Sequence, residues 1–281
     1  MMRTAFVRRT LAGAFAAVVL AAAPMALAQE TVRPDVGKAL QAAQALSKSG
    51  RHKEALGKVA EAEAVSGRTA YENYTIQRTK GSIAASAGDN DTAARAFEAV
   101  IGSGKSPAAE SLRMMQAIAG LYYRAKDYPK AATWAARYQK EGGTDPSMRT
   151  LLVQSYFLGN DCAAVAKTVG ESDGNGRKAT EEELQILANC YLKQKDNQGY
   201  VSAIERLVLH YPKKEYWTDL LNRVQKKNGF SDRFSLDIYR LKLATGNINS
   251  ANDYLEMTQL ALQAGFPTEA KKIVDKGYAA G

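Results

Sequence analysis

Along most of its length the chain alternates between short polar turns and stretches in which small or apolar residues recur at helical spacing. Ile118, Ala119 and Tyr122 stand before one turn, and Leu187, Ala188 and Tyr191 before another. Ala93, Phe97 and Val100 follow a turn, as do Tyr200, Ile204 and Leu207. Steps of three and four residues put such positions on one face of a helix. The turns share a loose form, Gly or Asn, then Asp, then Ala four residues on. It recurs with variations over Ser49–Ala55, Ala87–Ala93, Lys126–Ala131, Asn160–Val165, Lys195–Tyr200 and Ala264–Ala270. The last residues of these segments are separated by 38, 38, 34, 35 and 70 positions, the final gap being twice 35. A period of that length marks a repeat architecture. Pro129 and Pro267 sit where a second helix would start, since a missing N–H is harmless in a first turn. Pro107, Pro146 and Pro212 fall between units, where helices must stop. No alternating apolar run and no Asn-Gly hairpin argues for strands.

Each unit therefore reads as a helix A, a turn and a helix B. The pattern resembles the tetratricopeptide repeat, which has a small residue midway along helix A, Tyr near its end and a Gly-Asp-Tyr turn. An Ala in helix B and a Pro at the unit's end complete it. Ala119, Tyr122, Asp127, Tyr128 and Ala131 carry the resemblance in the third unit, and Ala188, Tyr191, Asp196 and Pro212 in the fifth. Trp217 and Leu220 match the start of a sixth, whose turn Asn228-Gly229-Phe230 departs from the pattern. The resemblance runs from Val36 to the end. It implies an all-α, right-handed superhelical solenoid of six or seven antiparallel helix pairs, over approximately 36–67, 71–105, 108–142, 146–170, 180–211, 214–246 and 250–281. One pair cannot bury its own apolar stripe, whereas stacked pairs share a continuous core. Such arrays usually close with a polar capping helix. None is read after the last helix B, so a fragment of a longer protein, or a partner over that end, is the expectation.

The leader stands apart. In residues 1–28, Arg3, Arg8 and Arg9 precede an uncharged apolar run from Leu11 to Ala23, then Pro24 and Ala26-Leu27-Ala28. This is the layout of a cleaved signal peptide. The apolar run of 13 residues is short of the roughly 20 that span a bilayer. No Cys lies nearby for a lipid anchor, and the residues around Arg8-Arg9 do not strengthen a twin-arginine reading. Cleavage leaves 253 residues, from Gln29, with 35 basic against 29 acidic side chains and a net charge of +6. A soluble, exported protein of the periplasm is expected, globular at 46% hydrophobic and 24% charged residues.

Little chemistry is on offer. Cys162 opens helix B of the fourth unit and Cys190 lies near the end of helix A of the fifth. They are a candidate disulfide closing 28 residues, with two separate buried thiols as the alternative. There is no C-x-x-C, and His52 and His210 stand far apart, so neither a redox pair nor a metal site is expected. Gly102-Ser103-Gly104-Lys105-Ser106 lacks the first Gly and the preceding strand of a phosphate loop. Glu181, Glu182 and Glu183 read as a solvated helix start, favoured by the dipole. Lys213-Lys214, Lys226-Lys227 and Lys271-Lys272 are short clusters that read as a solvated face rather than a nucleic-acid surface. No cofactor is expected.

The tetratricopeptide register implies a concave groove lined by helix A. Its candidate lining is Arg78, Ser82, Arg113, Gln116, Tyr123, Gln154, Phe157, Gln185, Asn189 and Lys193. Amides can bond a peptide backbone, aromatics fill pockets and cations meet carboxylates. Any amphipathic helix also has a polar side, so some of these may only face water. The chain looks like exported repeat proteins of Gram-negative bacteria that serve envelope assemblies. A non-catalytic periplasmic scaffold binding protein or peptide partners is the leading expectation. A structural segment of a longer envelope protein is the second. An envelope enzyme is the third, without any acid and base at workable spacing to nominate it.

Overall fold

A computed structural model describes residues 30–174 and 177–280. The leader lies outside them. Among the described residues there are fourteen α-helices and no strand. They run α1 (Pro34–Lys48), α2 (His52–Ala64), α3 (Ala70–Ala87), α4 (Asn90–Gly102), α5 (Ala108–Arg124), α6 (Tyr128–Lys140), α7 (Pro146–Leu158), α8 (Cys162–Gly174), α9 (Glu181–Lys193), α10 (Asn197–His210), α11 (Lys214–Gln225), α12 (Ser235–Ala244), α13 (Ala251–Gln263) and α14 (Pro267–Ala280). A 3-10 turn, Asp232–Phe234, precedes α12. Odd-numbered helices are the A helices and even-numbered ones the B helices.

The turn within six of the seven pairs, all but α11 with α12, shows why the sequence repeats. One residue there takes a left-handed conformation: Gly50, Gly88, Lys126, Asn160, Lys195 and Gly265, with φ from 57° to 81°. That twist lets the next N–H reach back to a carbonyl of the last helical turn, as Asp89 does to Ala84 at 3.0 Å, Asp127 to Tyr122 at 2.9 Å and Asp196 to Tyr191 at 2.9 Å. The same Asp then caps helix B. The carboxylates of Asp89, Asp127, Asp161 and Asp196 accept from the backbone N–H groups of Thr92, Lys130, Ala164 and Gly199. One Asp thus ends one helix and begins the next.

Packing follows from small residues at fixed places. Ala43, Gly81, Ala119, Val153 and Ala188 lie seven residues before the first five of these turn residues and are buried, as is Thr258 before Gly265. A Cβ on Gly81 would come within 2.6 Å of the Phe97 ring. Ala55, Ala93 and Ala131 answer them from the B helices with no exposure. Each helix packs on the one before and the one after. Consecutive A helices also meet (α1 with α3, α5 with α7, α7 with α9), whereas no two B helices pack together beyond a grazing contact. The A helices therefore line the inner side of the curve. No helix among the described residues is long and apolar enough to cross a membrane.

Candidate peptide-binding face

All ten candidate lining residues lie on A helices: Arg78 and Ser82 on α3, Arg113, Gln116 and Tyr123 on α5, Gln154 and Phe157 on α7, and Gln185, Asn189 and Lys193 on α9. The structure ties seven of them into a ladder that runs from one A helix to the next. Arg78 pairs with Glu110 on α5 at 2.9 Å. The Gln116 amide donates to Asp145, which caps α7, at 2.8 Å. The Tyr123 hydroxyl donates to Gln154 Oε1 at 3.3 Å, and Gln154 Nε2 donates to Glu182 on α9 at 2.6 Å. Lys193 Nζ sits 3.9 Å from the Phe157 ring centroid. The Gln185 amide donates to the hydroxyl of Tyr216 on α11, which donates to Glu181. Ser82, Arg113 and Asn189 are exposed and make no side-chain bond among the described residues.

These rungs shape the local charge. The Lys213 ammonium and the Tyr216 hydroxyl hold the Glu181 carboxyl below its ordinary range. The Ser147 backbone N–H does the same for Asp145. Burial pushes the Tyr123 phenol up. Between α1 and α3 the inner face opens into a depression of about 380 Å³. Lys48 and Arg78 flank it, hydroxyls of Ser47, Thr75, Thr79 and Ser82 line it, and Ile83 adds an apolar wall. A smaller one, about 140 Å³, lies where Thr218 and Asn222 of α11 face Lys242, Asn247 and Asp253.

The reading of Glu181, Glu182 and Glu183 as a solvated helix start is overturned for Glu183, which is 2% exposed. Its carboxylate accepts from the Thr180 backbone N–H at 2.9 Å while Thr180 Oγ1 accepts from the Glu183 N–H, a reciprocal cap. Arg149 Nε and Arg177 Nη2 meet it at 2.8 and 2.7 Å. Burial pushes its pKa up, but the Thr180 N–H and the two guanidinium groups outweigh this and hold it below the ordinary value. The same device opens α3. Fully buried Glu72 accepts from the Thr69 N–H, and from the backbone N–H and Nε of Arg33, both at 2.9 Å. Chiefly through the Arg33 side chain, its pKa falls to about 2. Sequence reasoning passed over both latches. The signal was Thr-x-x-Glu at Thr69 and Thr180, since a cap needs that spacing.

Cys162 and Cys190 are joined by a disulfide, Cα to Cα 5.4 Å, between the start of α8 and the last turn of α9. His52 faces Ser47 Oγ at 3.4 Å. Lys213 pairs with Glu181, and Lys214 bonds Asn249, so this basic pair is partly taken up between units. Among the described residues no group of three or more His, Cys, Asp or Glu is placed to hold a metal ion.

No family model matches the chain, and no curated protein matches it. Solved structures similar to it include the TPR2AB domain of yeast Sti1 in complex with pHSP90. That similarity has 13% identity and a TM-score of 0.42, over 86% of this chain and 89% of that one. The pentatricopeptide repeat protein PPR10 from maize gives 13% identity and 0.42 over 86% of this chain and 39% of that one. BtubC from P. vanneervenii gives 12% identity and 0.33, over 87% of each. The fold, resting on its own helices and turns, is an all-α array of stacked antiparallel pairs of the tetratricopeptide-like kind.

Proposed function

We propose that the protein is an exported, non-catalytic adaptor of the cell envelope that holds a segment of a partner protein against its A-helix face. The observation that carries this reading is the division of labour along that face. Seven candidate residues are tied into inter-helix rungs, while Ser82, Arg113 and Asn189 stand exposed between them with unspent donors and acceptors. A face whose framework is already ordered loses less entropy when it binds. Amides, cations and aromatics in a row suit the backbone and side chains of an extended or helical peptide. The leader and the disulfide support an oxidising compartment outside the cytosol, and the periplasm fits both.

The test is crosslinking capture from envelope extract, with the triple variant Ser82→Ala, Arg113→Ala, Asn189→Ala as control. These side chains are exposed, so the variant should keep its fold by circular dichroism. A partner recovered by the native protein and lost by the variant supports the face. Equal recovery by both removes the face from the interaction. N-terminal sequencing of the fractionated protein checks export, with Gln29 the expected first residue.

A further inference from the structure

The inner face changes character between its first two units and the next ones. Between α5 and α7, Tyr123 stands three residues before one left-handed turn and Gln154 six residues before the following one. Their hydrogen bond fills the space between the two A helices. The residues in the same places between α1 and α3 are Ser47 and Ser82. Two such short side chains leave the space open, and both line the depression of about 380 Å³ found there. That volume lies within the range of small-molecule sites, roughly 300–1,000 Å³.

The lining divides into groups that can donate and groups that can only accept. Thr75 and Thr79 each give their hydroxyl proton to a carbonyl of their own helix, those of Tyr71 and Thr75, both at 2.9 Å. A hydroxyl has one proton to give, so toward the hollow these two oxygens are acceptors. Gln44, Lys48 and Ser82 are exposed and make no side-chain hydrogen bond among the described residues, so their donors are unspent. Arg78 places Nη2 on Glu110 at 2.9 Å and has further N–H groups to offer. No carboxylate lines the hollow among the described residues. Glu110 balances Arg78, which leaves the Lys48 ammonium as the uncompensated charge.

We propose that this hollow binds a sugar carrying an anionic group, a carboxylate or a phosphate. The Lys48 ammonium takes the anion, and the Arg78 guanidinium and the Ser82 hydroxyl add donors to it. The sugar hydroxyls donate to Thr75 and Thr79 and accept from the Gln44 amide. A bare anion has no proton for the threonines, and a neutral sugar leaves the ammonium unused. An apolar molecule would meet little besides Ile83. The site needs neither Arg113 nor Asn189 and does not depend on the peptide reading.

The probes are glucuronate and glucose-6-phosphate, with glucose and inorganic phosphate as the separate halves. One of the two charged sugars should shift the backbone amide resonances of residues 44–48 and 75–83 saturably. Its Kd should lie about ten-fold or more below those of glucose and of inorganic phosphate, and the tighter of the two names the anion. The variant Ser47→Tyr, Ser82→Gln rebuilds between α1 and α3 the pair that Tyr123 and Gln154 make between α5 and α7. It should keep its helicity and melting and weaken binding about ten-fold or more. Lys48→Gln, an exposed change, should also weaken it about ten-fold, while Asn189→Ala should bind like the native protein. Absence of a saturable shift with both charged sugars overturns the proposal. So does inorganic phosphate binding as tightly as they do, because the site then reads only an anion. Binding that survives both the paired serine variant and Lys48→Gln overturns it as well.

Discussion

A lysine held at φ near +60° is strained where a glycine is not, because its Cβ crowds the following carbonyl oxygen. Lys126 and Lys195 occupy that conformation at 61° and 57°, in the turns where other units use Gly50, Gly88 and Gly265. Replacing either by Gly removes the strain but loosens the unfolded chain. The balance should favour the variant by about 0.5–1 kcal/mol per site. Asn160 visits the same region with less penalty, so Asn160→Gly should change little. Urea unfolding of the three variants checks this, and a destabilised Lys195→Gly would refute the account of the turn. Glu72 gives the second expectation at this scale. Its folded pKa, about 2, lies below the ordinary carboxylate value of 4.5. A depressed pKa means that the carboxylate's stabilising contribution is present in full above about 4.5 and is lost as pH falls through 2. Backbone protection at the start of α3 should weaken over that window. The Glu72→Gln variant should have lost the charged contact already and be flat across it. A carboxyl titration by NMR with a midpoint near 4.5 would contradict the latch.

At the scale of the element, α8 is a weak helix held by a covalent tie. Its described buried side chains are only Cys162, Val165 and Val169, and its sequence carries Gly170 and three β-branched residues. Glycine and β-branched residues are weak helix formers. The disulfide pins its first residue to α9 across a separation of 28 residues. Cys162→Ala with Cys190→Ala should cost about 2–4 kcal/mol on the chain-entropy estimate. Hydrogen exchange should accelerate first in α8 while α5 and α6 stay protected, and uniform acceleration would show that α8 is not the weak element. The helices and their turns were legible in the sequence because the information is local. A left-handed residue, a capping Asp and a small residue four positions on lie within one short segment, as at Gly88, Asp89 and Ala93. The ladder was not legible. Tyr123 and Gln154, or Gln185 and Tyr216, stand 31 residues apart, and only the stacking of units says that they meet. Glu183 was misread because a run of three carboxylates looks solvated. One of the three faces inward, and the Thr180 cap fixes which.

For the whole molecule, the apolar clusters set where the array is weakest. Stability in a stacked array is a sum over units and the interfaces between neighbours. One buried cluster runs from Val153 to Tyr216, and the next begins only at Leu236 and ends at Ile273. Between Tyr216 on α11 and Leu236 on the short α12 lie residues 226–231, which form no helix, with Lys226, Lys227, Asn228 and Gly229 all exposed. Polar ties cross the gap on the inner side, from Lys214 to Asn249 and from Thr218 to Asn247. Hydrogen bonds of this kind contribute only about 0.5–1.5 kcal/mol each, less than a shared apolar core. The C-terminal part, from α12 to α14, should therefore open before the rest of the array. Trypsin should cut first after Lys226 or Lys227, although lysine and arginine are spread along the chain, because cleavage needs an unfolded segment and a flexible approach. The larger product, ending at Lys226 or Lys227, should keep its helicity, since it retains the three clusters from Val36 to Tyr216. Mass spectrometry of an early digest decides the matter. First cuts within α4 to α6 would mean that the polar ties hold the junction more firmly than the core holds the centre. The unfolding order inferred from the clusters would then be reversed.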